Sequence, residues 1–346
     1  MKINKKIIIF KNDRLGDLLH GIPAINNIIN KNPDKEIVIF LSKISEKFYF
    51  LFKKKNTKLK VLNYHLTIFE KFRILIYLIK NKLQEIYILS PKNFYFYLPL
   101  LFTKINFFAL CMSGVNGYRR PSFFLRKFLY KSVINDRGTL KKRKSVRSLL
   151  LDLTNKDLEV ENSIDFELKI PKSDNLKKYL PKSYMLVHFK KKVATKLGWG
   201  AEELNLILNH LKKYIPNIVL IKDIEKDELN LIFRKKYKTL DFENNLFYNS
   251  ENNILFFDNV EGEDLYNLVK YSKKVIAFHG TITSIAMLNN TPVLDLFYCD
   301  IKNIKDYHSY KNAFFEFKPR YNGYDFIIPN KSVKKTLNKM NFAIRN

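Results

Sequence analysis

The residues best suited to chemistry follow directly on short apolar runs. The first group, Lys11-Asn12-Asp13-Arg14-Leu15-Gly16-Asp17-Leu18-Leu19-His20-Gly21-Ile22-Pro23-Ala24, comes after the run Ile7 to Phe10. Gly16 permits a tight turn and close backbone approach. Asp17 has two open roles: it caps the following helix, or it is a general base that takes a proton from an attacking hydroxyl. The second group runs from Val187 to Glu203, a strand, then a lysine-rich loop, then a helix start. Cationic side chains and unsatisfied backbone N–H groups at such a junction outline a phosphate site. Lys196 is the first choice of ligand and Lys192 the second; the alternative is a solvated lysine run. Trp199, the only tryptophan, reads as a packing anchor. In the third group, Val275 to Ala286, a strand meets a helix through His279-Gly280-Thr281-Ile282-Thr283. Gly280, Thr281 and Thr283 can offer N–H and O–H donors to a diphosphate. A helix N-terminus disfavours His279 as a cation, leaving a neutral ring suited to sugar hydroxyls, or else a structural histidine.

These groups need a scaffold that brings strand ends together. Strand-sized runs at 7–10, 37–40, 59–62, 86–89 and 107–110 alternate with helix-length segments at 17–30, 44–52 and 68–80. Continuous apolar strands separated by helices predict a parallel sheet covered on both faces. After Pro171 and Pro181 the alternation restarts, with strands at 185–187, 218–221, 254–257, 275–278 and 293–297 and helices at 201–214, 263–271 and 281–288. The expected organisation is an N-terminal Rossmann-like domain at 1–170, a linker at 171–182 and a second Rossmann-like domain at 183–330. A helix at 331–346 is expected to pack back on the N-terminal domain. Two such domains would face a cleft at the carboxyl ends of their strands.

Lysine and arginine exceed aspartate and glutamate by 62 to 33, a net charge of +29 that favours anionic partners. No helix-turn-helix, zinc-finger or RNA-recognition signature points to specific nucleic-acid binding. Cys111 and Cys299 stand far apart, which argues against a disulfide framework or a zinc site and for a reducing cytoplasm. The most membrane-like stretch, 94–111, is interrupted by Pro99, Lys104 and Asn106 and reads as a buried helix followed by a strand.

The run Arg14-Leu-Gly-Asp-Leu-Leu-His-Gly-Ile-Pro-Ala24 resembles the opening motif of the ADP-heptose:lipopolysaccharide heptosyltransferase family, glycosyltransferase family 9. The resemblance implies a GT-B fold of two Rossmann-like domains, inversion at the anomeric carbon, no metal or cofactor, and Asp17 as the catalytic base. His20, one turn further on, would orient the acceptor or Asp17, with Arg14 on the acceptor side. The 187–203 segment is similar to the family's Lys-x-Trp-Pro loop, with Lys196 three steps before Trp199 and Gly200 in place of proline. The third group is similar to Asp-Ser/Thr-Gly-x-x-His-x-Ala, but carries His279 for the aspartate, Thr281 for the glycine and Ser284 for the histidine. His279 at a position that helps hold the donor sugar implies a different sugar or hydroxyl pattern. The turn Asp258 to Leu265 resembles the family's glycine turn near the nucleotide base and puts Gly262 there. The donor implied is an ADP-sugar.

Between Arg119 and Arg147, basic residues interleave with Phe123, Phe124, Leu125, Phe128, Leu129 and Tyr130. One reading is a basic amphipathic helix on an anionic membrane surface, and the other is a helix packed on the sheet. The combined expectation is a cytoplasmic glycosyltransferase, peripheral on the inner membrane, that moves a heptose or related sugar to a lipopolysaccharide-type glycolipid. The alternative is a catalytically degenerate relative or a polyanion-binding protein.

Overall fold

The structure, a computed structural model, describes residues 5–112, 121–135, 145–154, 174–222, 228–241, 246–248, 254–298, 314, 318 and 321–345. Two compact units divide the chain: Met1–Phe166 with His308–Lys318, and Glu167–Tyr307 with Pro319–Asn346. Both are α/β units built on parallel sheets.

In the first unit, strands β1 (Lys6–Lys11), β2 (Ile37–Ser42), β3 (Thr57–Leu62), β4 (Leu83–Ile88), β5 (Asn106–Met112) and β6 (Lys131–Asn135) are ordered β3-β2-β1-β4-β5-β6. Every pairing is parallel; Ile8 of β1 faces Val38 of β2 on one side and Ile86 of β4 on the other. Residues 7–10 are buried on both faces, which is why an unbroken apolar run serves as a strand here. The helices are α1 (Leu15–Lys31), α2 (Ile68–Lys80), α3 (Asn93–Leu101), α4 (Phe123–Arg126) and α5 (Val146–Thr154). One core cluster unites Ile74 and Leu78 of α2 with Tyr95, Phe96 and Leu98 of α3, and Leu125 of α4 packs against it, so these helices cover the same face. The segment expected as a helix at 44–52 is a 3-10 helix over Glu46–Leu51.

The second unit holds β7 (Met185–His188), α7 (Lys191–Leu197), α8 (Ala201–Leu211), β8 (Ile218–Ile221), α9 (Glu228–Lys236), β9 (Lys238–Asp241), β10 (Leu246–Tyr248), β11 (Ile254–Asp258), α10 (Gly262–Lys270), β12 (Lys274–Phe278), α11 (Thr281–Leu288), β13 (Val293–Leu296) and β14 (Tyr324–Ile327). The strand order is β10-β9-β11-β8-β7-β12-β13-β14, with β10 antiparallel to β9 and the other pairings parallel. Of the expected linker, 171–173 lie outside the described residues, and Asp174–Tyr179 form a short helix, α6, with Leu176 buried. The C-terminal helix, Val333–Arg345, expected to pack back on the N-terminal domain, belongs to the second unit. Its apolar side, with Val333 and Met340, enters the second unit's core, and its Asn341 accepts from Tyr214 at 2.6 Å. Among the described residues no helix is long and apolar enough to cross a membrane.

Candidate active site

In an open parallel sheet, the crevice lies where neighbouring strands send their chains to opposite sides. In the first unit that place is between β1 and β4, and a cavity of about 560 Å³ opens there. Lys11, Asp13, Arg14 and Asp17 line it after β1, Leu89, Pro91, Lys92, Asn93 and Phe94 after β4, and Tyr64, His65, Leu66 and Lys71 around the start of α2.

The chain after β1 is pinned by hydrogen bonds. Asn12 accepts from the Tyr95 hydroxyl at 2.9 Å and donates to the Asn63 carbonyl at 3.0 Å. The Asp13 carbonyl accepts from Ser42 and Ser45 hydroxyls. Lys11 is only 2% exposed and pairs with Asp13 at 2.6 Å, the partner that a buried cation requires. Gly21 makes this possible: a Cβ there would stand 2.7 Å from the Lys11 Cε. Arg14 is the N-cap of α1 and makes no side-chain cap hydrogen bond, so Asp17 lies inside the first turn and not at the cap. Burial, reinforced by the neighbouring Asp13 carboxylate, raises Asp17 from 3.8 to about 6, against the opposing pull of Lys11 and Arg14. The Arg14 guanidinium and the Lys92 ammonium both lie over the Tyr64 ring, at 5.6 and 4.4 Å from its centre. Burial lowers the Lys92 pKa. A positively lined cavity with one carboxyl poised near neutrality can bind an anionic molecule and accept a proton from it.

His20, expected to orient the acceptor or Asp17, is buried in α1 and is not among the residues that line the cavity. Lys11 and Asp13 stand in the first sequence group without a role of their own, and Tyr64, His65, Lys71 and Lys92 lie outside the groups read from the sequence. Lysine at the end of an apolar strand, and Lys92 just beyond β4, are the signals that strand order makes readable.

In the second unit the equivalent place lies between β7 and β12. The expected basic loop is instead largely helix α7, which ends at Gly198, and Glu203 accepts from the Gly200 amide at 2.8 Å at the start of α8. Lys190, between β7 and α7, donates from its ammonium to the His279 carbonyl beyond β12. It lies so close to Gly280, whose φ is +152°, that a Cβ there would collide with the ammonium. Lys196 lies over the Tyr298 ring at 5.6 Å, next to Phe297, whose ring meets His279 at 4.7 Å. Lys192 is exposed on the first turn of α7 and makes none of these contacts.

The His279 Nδ1 is 2.6 Å from Asp295 Oδ2, and Tyr324 donates to the same oxygen at 2.8 Å. Asp295 is fully buried, and its other oxygen has no hydrogen-bond partner among the described residues. The carboxylate beside Nδ1 takes a hydrogen bond from that nitrogen and fixes the ring's orientation. Thr283 and Gly280 differ from the expected open donor set, since the Gly280 amide donates to the Thr283 hydroxyl, which donates back to the Gly280 carbonyl. Thr281 opens α11 and is half-buried. Gly262 opens α10 with φ +57°, after Asp258, which is paired with Lys222 at 2.7 Å and with Arg234. Trp199 is the anchor expected of it: it is buried against Phe278, and its indole donates to the Lys331 carbonyl at 3.0 Å. Among the described residues no group of three or more His, Cys, Asp or Glu side chains is placed to hold a metal ion.

Neither a protein-family model nor a curated protein sequence matches the chain. Solved structures do match in fold. A glycosyltransferase family 9 protein from Veillonella parvula has a TM-score of 0.62 at 12% identity, covering 100% of this chain and 91% of that one. An E. coli heptosyltransferase solved with ADP has 0.60 at 11%, covering 98% and 99%. A UDP-GlcNAc 2-epimerase from Methanocaldococcus jannaschii has 0.57 at 16%, covering 99% and 92%. The chain therefore has a GT-B fold, an architecture that heptosyltransferases and nucleotide-sugar epimerases share.

Proposed function

We propose that this chain is an inverting, metal-independent glycosyltransferase that moves a heptose or related sugar from a nucleotide-diphosphate donor to an anionic glycolipid of lipopolysaccharide type. Asp17 carries the reading: a carboxyl raised to about 6 inside a cationic cavity is mostly ionised at pH 7 yet far more basic than an ordinary aspartate. It takes the acceptor hydroxyl's proton as the oxygen attacks the anomeric carbon, and the bond to the diphosphate breaks with its electron pair leaving on phosphate. Arg14, Lys71 and Lys92 hold the acceptor's anionic groups. In the second unit Lys190 and Lys196 supply positive charge to the departing diphosphate, with Lys192 in reserve. Thr281 adds donors beside the Gly280–Thr283 turn, His279 orients a sugar hydroxyl, and Gly262 lies near the base. ADP is the nucleotide favoured, because the opening motif resembles heptosyltransferases and a heptosyltransferase solved with ADP shares the fold. The acceptor places the protein at the cytoplasmic face of the inner membrane.

The test is release of nucleoside diphosphate from ADP- and UDP-sugars by the full chain, with and without a phosphorylated glycolipid acceptor. Release that requires the acceptor and is lost in Asp17→Asn supports transfer. Isomerisation of a UDP-sugar without acceptor assigns epimerase chemistry. Nucleotide binding without turnover, or salt-sensitive DNA binding without nucleotide-sugar binding, supports the degenerate or polyanion-binding alternative.

A further inference from the structure

Helix α2 carries apolar side chains on two faces, of which the fold uses one. Ile74 and Leu78 enter the core of the first unit. Ile68, Phe69, Phe72, Ile76 and Ile79 face solvent, with Phe69 81% and Ile79 72% exposed. At 3.6 residues per turn these side chains fall within an arc of about 100° opposite the core face, along a helix about 20 Å long. A soluble helix places polar residues on that arc, and a continuous apolar stripe there marks an interaction surface.

Charge identifies the partner. Arg73 and Lys80 border the stripe on one side and Lys71 on the other. The acid of this helix, Glu70, is occupied by the backbone amides of Asn63 and Thr67. In the same layer, Tyr97 and Leu101 of α3 and Phe124 of α4, with Phe128 and Tyr130 beyond it, are also exposed, as are Lys104 and Lys127. Two copies of such a face would oppose like charges, whereas an anionic bilayer offers acyl chains to the stripe and phosphates to its border. The stripe also begins at the cavity, whose wall includes Leu66 and Lys71.

We propose that α2 lies flat in the interface of an anionic lipid bilayer, with Ile68, Phe69, Phe72, Ile76 and Ile79 among the acyl chains and Lys71, Arg73 and Lys80 at the headgroups. This rests in part on the glycolipid-acceptor reading, which explains its use: an acceptor keeps its lipid in the bilayer while its sugar headgroup enters the cavity toward Asp17. It also relocates the membrane surface expected at 119–147, where 119–120 and 136–144 lie outside the described residues and α4 spans only Phe123–Arg126.

The experiment is co-sedimentation of the full chain with phosphatidylglycerol-containing vesicles and with phosphatidylcholine vesicles, without nucleotide-sugar. The wild type should partition at least tenfold more strongly to the anionic vesicles. Phe69→Ser/Phe72→Ser/Ile76→Ser should lose at least tenfold in that partition with an unchanged melting temperature, and Arg73→Glu/Lys80→Glu should lose the lipid-charge preference. Failure of the wild type to bind vesicles, wild-type binding by the serine variant, or a wild-type dimer that the serine variant converts to monomer overturns the proposal. Transfer to a soluble, delipidated acceptor is measured in parallel and should be equal in the wild type and the serine variant. Its absence in both, with vesicle binding intact, strikes the transferase reading and leaves the surface standing.

Discussion

At the switch point of the first unit the chain after β1 leaves a cavity of about 560 Å³, whereas at that of the second unit several polar groups are bonded to one another. Both places hold a lysine against a glycine, Lys11 with Gly21 and Lys190 with Gly280. In the first unit Asp13 absorbs the lysine's charge, and Asp17, buried and beside the Asp13 carboxylate, is raised to about 6. In the second, Asp295 is taken up by His279 and Tyr324, Thr283 by Gly280, and Lys190 by a carbonyl. Burial beside a like charge prepares a carboxyl to move a proton; paired groups hold a shape. The contrast suits the proposed division between a unit that activates an acceptor and a unit that grips a donor.

The sharpest way to break this contrast is Asp17→Asn, which should lower kcat by about a thousandfold or more while leaving nucleotide affinity unchanged. A variant with full turnover would remove the proposed base. Next come the glycines. Gly280→Ala adds a Cβ at φ +152° against the Lys190 ammonium and should cost about 3 kcal/mol of stability. Gly21→Ala, against the softer Lys11 side chain, should cost about 1–2 kcal/mol, and Gly16→Ala, with nothing within 4 Å, less than about 0.5 kcal/mol. Denaturant midpoints of the three rank them directly.

A third experiment concerns pH. The folded chain keeps the Asp17 proton up to about pH 6, while the unfolded chain releases it near 3.8. Between those values the folded state binds more protons, so this group's contribution to unfolding free energy falls as pH rises, by up to about 3 kcal/mol. Asp17→Asn should abolish that fall and be more stable than the wild type at pH 8, and kcat/KM should rise about tenfold per pH unit up to about 6 and then level. Smaller still, Lys190→Ala should weaken ADP binding about tenfold by calorimetry with acceptor binding unaffected. Tyr324→Phe, which removes one donor from Asp295, should lower the melting midpoint by an amount equivalent to about 1 kcal/mol.

Much of the fold was readable because fully buried parallel strands need unbroken apolar runs, as at 7–10, 37–40 and 275–278. The 94–111 stretch resolved as expected into α3 and β5; the helix runs through Pro99 to Leu101, and the short turn at 102–105 parts it from the strand. β6 (Lys131–Asn135) and β9 (Lys238–Asp241) escaped because their polar and charged residues hide the strand pattern. Asp17 could be found because a glycine and an acid after a strand are local signals. Lys92 and Asp295 could not, since the contacts that matter join residues far apart in sequence: Lys92 to Tyr64, and Asp295 to His279 and Tyr324. Lys192 and Lys196 were legible as charge, but helix α7 replaced the loop that would have gathered them.

The placement of Trp199 makes the two halves separable by eye in a fluorimeter. The chain has one tryptophan and 20 tyrosines, and the tryptophan is sealed in the second unit beside Phe278 with its indole tied to the Lys331 carbonyl. Emission excited selectively at the indole therefore follows the melting of that unit alone, while far-ultraviolet dichroism averages both. Coincident midpoints would mean the halves unfold as one cooperative body, and a gap would measure how much stability each holds by itself.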